Sequence, residues 1–87
     1  MILIGYSPEF FRRLKKLPPD IQEKAFKRIT LFREKKNHRQ LEIHKLHGVY
    51  AGCSSFSVDF RYRIIFEWIT KNEVRLYTIG GHAIYRR

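Results

Sequence analysis

Apolar positions along the chain follow two different periods, and the change of period divides it. Residues 2–6, "ILIGY", form an apolar run of strand length. Ser7-Pro8-Glu9 follows as a helix start: serine can cap the first free amides, proline at the first helical position has no amide to lose, and glutamate sits at the positive end of the helix dipole. Phe10, Phe11, Leu14 and Leu17 then recur at helical spacing, with Arg12, Arg13, Lys15 and Lys16 around the rest. Leu17-Pro18-Pro19-Asp20 stops this helix and opens a second, for which Asp20 is the expected N-cap and Glu23, three residues on, completes a capping box. Ile21, Ala25, Ile29 and Phe32 hold one stripe, with Phe26 and Leu31 at its edges, and predict a helix from about Ile21 to Lys36. Two short amphipathic helices joined by "LPPD" read as an antiparallel hairpin.

Beyond Asn37 the period falls toward two. "QLEIHKLHG" at 40–48 is mixed and reads as a loop entering extended structure. "CSSFSVDF" alternates Phe56 and Val58 with Ser55, Ser57 and Asp59. "RYRIIFEWI" places Ile64, Phe66 and Trp68 on one face and Arg61, Arg63, Ile65 and Glu67 on the other. Lys71-Asn72 reads as a hairpin turn. "EVRLYTI" then puts Val74 and Leu76 on one face and Arg75, Tyr77 and Ile79 on the other, before a bend at Gly80-Gly81 and a last strand, "HAIYRR". The order predicts an α+β fold: a short N-terminal strand, an antiparallel two-helix hairpin, then a three- to four-stranded, mainly antiparallel sheet. Residues 1–87 read as one domain, without repeat or linker.

Size and charge narrow the function. At 87 residues with 44% hydrophobic content, the chain can build one core but not a deep enclosed pocket as well, so any site is expected on a surface groove. The formal net charge of +10 is large for this length and points to a polyanion or an acidic partner. Cys53 is the sole cysteine, which excludes an intramolecular disulfide, and "AGCSSF" suits a small strand residue better than a nucleophile. "MILIGYSPEF" lacks the long apolar run and small-residue cleavage site of a secretory signal, and no stretch has the length of a membrane span. The expected location is the cytoplasm, without membrane association.

Several polar groups can carry chemistry. Arg61 and Arg63, two apart on a strand, share a face and can clamp a phosphate; an ordinary solvated sheet face reads the same way. His44, Lys45 and His47 cluster in "HKLHG", and His82 follows the Gly80-Gly81 pair. With no second cysteine and no histidine pair at i,i+4 spacing on a predicted helix, metal ligation is not expected; acid–base groups and plain polar loop residues are the readings left for these histidines. Cleaving RNA needs a base for the ribose 2′-OH, a cation for the phosphorane and an acid for the leaving 5′-oxygen; His, Lys, Arg and Tyr supply them. Tyr62 or Tyr85 can stack on a base or pack at a strand end.

The run "HKLHGVYAGCSSFSVDFRYRIIFEW", followed by "EVRLYTIGGHAIYR", resembles the RelE/ParE toxin superfamily, most nearly its RelE/YoeB/YafQ-like branch of mRNA interferases. The likeness takes in the first strand, the helical hairpin, the "xxLxG" turn at His44–Gly48, the "YRIIF" strand at Tyr62–Phe66 and the "GxH" tail at Gly80–His82. It implies the toxin of a type II toxin–antitoxin pair, an endoribonuclease that cuts mRNA on the ribosome without metal or other cofactor. It also implies a small acidic antitoxin that folds over the basic surface as it binds. By resemblance His44 is the general base, Arg63 steadies the scissile phosphate, His82 is the general acid and Tyr85 lies beside the substrate base. Lys45, His47, Arg61, Tyr62 and Arg86 are the expected RNA-binding neighbours. "GGH" stands in place of the commoner "GTH", and Ser57 and Arg61 stand where the YafQ-like pattern has His and Asp. A ParE-like gyrase inhibitor and a non-catalytic RNA- or antitoxin-binding relative are the competing readings.

Overall fold

Ser7 starts the first helix as its sequence context predicts, and does more besides. Its hydroxyl oxygen accepts from the amide of Phe10 at 3.0 Å and donates to the carbonyl of Tyr77 at 2.6 Å, so one buried side chain caps the helix and ties it to the far end of the chain. The computed structural model describes residues 1–85; the predicted RNA contact Arg86 lies outside them. In chain order the elements are β1 (Leu3–Tyr6), α1 (Pro8–Leu14), α2 (Pro19–Phe32), β2 (His44–Lys45), β3 (Ser54–Ser57), β4 (Arg63–Thr70) and β5 (Glu73–Gly80). Short 3₁₀ turns occupy Lys35–Leu41, Gly48–Tyr50 and His82–Tyr85. The strands form one five-stranded sheet in the order β1-β5-β4-β3-β2. β1 runs parallel to β5 and every other pairing is antiparallel.

One face of the sheet packs on the helices. Phe10 and Leu14 of α1 and Ile21, Ala25, Ile29 and Phe32 of α2 meet Phe56, Ile64, Phe66, Val74, Leu76 and Ile79 of the strands. Phe32 sits among rings, stacked on Phe56 with centroids 4.7 Å apart and edge-on to Phe66 at 4.9 Å. Arg28 pins the sheet to α2 by donating to the Ser57 carbonyl and hydroxyl at 3.0 and 2.9 Å.

Several expected boundaries move, each for a local reason. α2 begins at Pro19 with Pro18 in the cap position, because proline's fixed φ and missing amide suit the first turn; Asp20 is inside that turn. α2 ends at Phe32 rather than Lys36. Asn37 donates to the Leu31 carbonyl at 3.0 Å and His38 Nε2 to the Phe32 carbonyl at 2.8 Å, taking acceptors that a longer helix would use. Ile79 lies on the core face, not beside Arg75. Phe66 pairs with Leu76 while Ile65 pairs with Thr78, so Tyr77 is an extra residue that inverts the alternation beyond it. The tail after Gly80 is a 3₁₀ turn, not a strand, and β4 starts at Arg63, so Arg61 belongs to the preceding bend.

Candidate active site

Pairing register assembles a row of side chains on the face away from the helices. His44 on β2 stands opposite Ser55 on β3, Ser55 opposite Ile65 on β4, and Ile65 opposite Thr78 on β5. The next row on the same face holds Ser57, Arg63 and Gly80. Arg63 reaches diagonally between the rows: its Nε donates to Ser55 Oγ at 2.9 Å, and its Nη2 donates to the Glu42 carbonyl at 2.6 Å. Glu42 offers that carbonyl from a left-handed conformation, φ 53° and ψ 57°, which a residue with a Cβ adopts at a cost. Nη1 of Arg63 makes no hydrogen bond to a described residue, so a half-buried guanidinium is held at two corners and presents the third.

His44 is exposed on the edge strand and His82 is exposed in the turn after β5. At strand spacings near 4.8 Å, β2 and β5 stand roughly 14 Å apart, with Arg63 on a strand between them. Gly80 fixes where the turn begins. A Cβ there would lie 2.4 Å from Cγ2 of Ile84, whose buried side chain packs down onto the glycine and closes the turn that carries His82. Tyr85, partly buried, ends the same turn.

The remaining predicted contacts are distributed elsewhere. Lys45 is opposite Ser54, so it faces the other side of the sheet from His44; with His47 it lines a groove floored by Cys53 and Trp68. Tyr62 packs against the core. Arg61 and Arg63 do not form a paired clamp: the Arg61 guanidinium lies over the Phe60 ring, 5.7 Å from its centroid. Further along the outer face Tyr77 donates to Glu67 Oε1 at 2.6 Å. That bond, with burial, raises the Tyr77 phenol above its ordinary value. Burial and then the Glu67 charge raise the Cys53 thiol, which keeps it protonated and unreactive near neutral pH. Among the described residues no three His, Cys, Asp or Glu side chains converge as a metal site would require. Nor is any helix among them long and apolar enough to cross a membrane.

No family model matches the chain, and no curated protein matches it by sequence. Solved structures do. The fold is that of the RelE/YoeB/YafQ-type proteins. YafQ from Escherichia coli BL21(DE3) superposes with a TM-score of 0.78 at 19% identity, over 98% of each chain. YoeB in the YoeB–YefM toxin–antitoxin complex of Staphylococcus aureus gives 0.70 at 15% identity, over 94% of this chain and 98% of that one. The archaeal RelE–RelB complex of Pyrococcus horikoshii gives 0.70 at 14% identity, over 92% and 93%.

Two residues that hold the site carry no signal in the sequence. Ser55 reads as one polar position of an alternating strand, and Glu42 as a loop residue. Neither has a local partner, since both act on an arginine far along the chain.

Proposed function

We infer that residues 1–87 are the toxin of a type II toxin–antitoxin pair in the RelE/YoeB/YafQ branch, and that the chain is a ribosome-dependent endoribonuclease cutting mRNA. The observation that carries this reading is Arg63: a guanidinium braced by Ser55 and Glu42 on the sheet face away from the helices, with His44 two strands away on β2 and His82 beyond β5 on the other side. An mRNA phosphate meets the free Nη1 corner of Arg63. His44 removes the 2′-OH proton, O2′ attacks phosphorus, and the P–O5′ bond breaks as His82 gives its proton to the departing 5′-oxygen. The products are a 2′,3′-cyclic phosphate and a 5′-hydroxyl. Arg63 offsets the charge that builds on the phosphorane. Tyr85, in the His82 turn, stands beside the neighbouring base.

The fold also supports an antitoxin partner. The YoeB of similar fold is found in a toxin–antitoxin complex, and a +10 chain suits an acidic wrapping segment. A ribosomal substrate puts the protein in the cytoplasm.

Induced expression in bacteria, read by primer extension on a reporter mRNA, tests this. Wild type is expected to arrest growth and leave discrete cuts in translated regions, with both effects lost in folded His82→Ala and Arg63→Ala variants. Growth arrest with intact mRNA and gyrase-type DNA damage would instead establish the ParE-like activity.

A further inference from the structure

Phe60 is 91% exposed, the most exposed large hydrophobic side chain among the described residues, yet the bend that carries it is firmly built. Asp59 Oδ1 accepts from the amides of Arg61 and Tyr62 at 2.8 and 2.7 Å. The amide of Val58 donates to the Tyr62 carbonyl at 2.9 Å, and Val58 itself is buried. A frame of four residues thus holds one phenyl ring out in water with most of its apolar surface uncovered. The Arg61 guanidinium covers part of the ring and leaves most of it open. The place also matters: the Arg61 carbonyl lies 3.6 Å from where a Cβ on Gly81 would be, so the bend abuts the turn that presents His82, and Arg63 follows two residues on.

We propose that Phe60 is a base-stacking post for single-stranded RNA, resting on the nuclease reading above and fixing how the strand continues away from the cleaved phosphate. A phenyl ring with a guanidinium beside it offers a nucleobase a flat apolar face and a nearby cation. The cleft at its foot favours a base over a phosphate. Asp20 and Asp59 line that cleft together with Lys24 and Arg61, so its formal charges cancel and a phosphate gains no net attraction there. The stack carries no hydrogen-bond code, so it holds the strand without choosing its sequence.

The test uses an uncleavable 2′-O-methyl oligoribonucleotide carrying one 2-aminopurine, titrated with the full-length protein. Phe60→Ala is expected to bind about ten-fold more weakly than wild type, within the range for loss of one stacked base. The salt dependence should be unchanged, because no phosphate contact is lost, and the aminopurine quench should fall. Phe60→Trp is expected to restore both affinity and quench. Equal RNA affinity for wild type and Phe60→Ala, both monomeric and equally stable, overturns the proposal. So does a Phe60→Ala loss confined to binding of an acidic partner protein, or an absence of RNA binding by wild type. If wild type binds and quenches in this way but leaves ribosomal mRNA intact, the stacking post stands and the nuclease reading fails.

Discussion

Arg63 owes its direction to neutral oxygens, Ser55 Oγ and the carbonyls of Glu42 and, more distantly, Ser55, rather than to an acidic partner. A carboxylate at that distance would neutralise the guanidinium and compete with a phosphate for it; neutral acceptors orient it and leave its charge available. Ser55→Ala is therefore expected to lower kcat on translating ribosomes by roughly ten- to a hundred-fold, the scale of a small misplacement of a catalytic group, with little change in KM. An unchanged kcat would show that Glu42 alone suffices. Ser7 and Ser55 mark what can be read at this scale. Ser7 announces its capping role because its partner amide is three residues away and Pro8 follows it. Ser55 and Ser57 have the pattern of exposed positions and are buried, because the side chains that satisfy them, Arg63 and Arg28, arrive from other elements.

Elements, rather than single residues, set the spacing of the site. The helical hairpin and the run of strands follow from the change of period, since a 3.6-residue stripe and a two-residue alternation bury different faces. The bulge at Tyr77 does not, because an extra residue in β5 is defined only by its pairing with β4; it is this bulge that turns Ile79 inward and leaves Gly80 opposite Arg63. The 3₁₀ turn that replaces the expected last strand is equally hidden, as "HAIYRR" has a strand-like composition and is bent by Ile84 packing on Gly80. Gly80→Ala puts a methyl group 2.4 Å from Cγ2 of the buried Ile84, so Ile84 and the turn carrying His82 must shift. Cleavage is expected to fall at least ten-fold, while far-UV circular dichroism and antitoxin binding change little. Wild-type cleavage by this variant would show that the turn does not place the acid.

For the whole molecule, the charge of +10 and the sheet face that carries Arg63 belong to one account. On the proposed reading, the charge would draw a polyanion to the chain at near diffusion-limited rates, and the face would give it one braced cation between two histidines. Chain length alone predicts a surface groove, and the +10 charge predicts a polyanionic or acidic partner. Which surface residues act together is not legible, because register places His44 with Arg63 and sends Lys45, its immediate neighbour, to the opposite side. The central claim is that this face cuts RNA by 2′-hydroxyl attack between His44 and His82. The most direct test is the end chemistry of mRNA fragments released when purified protein is added to ribosomes stalled on a defined message. Fragments ending in a 2′,3′-cyclic phosphate and beginning with a 5′-hydroxyl, lost with His44→Ala and with His82→Ala, are the predicted result; intact message, or fragments with 5′-phosphate and 3′-hydroxyl ends, would contradict it.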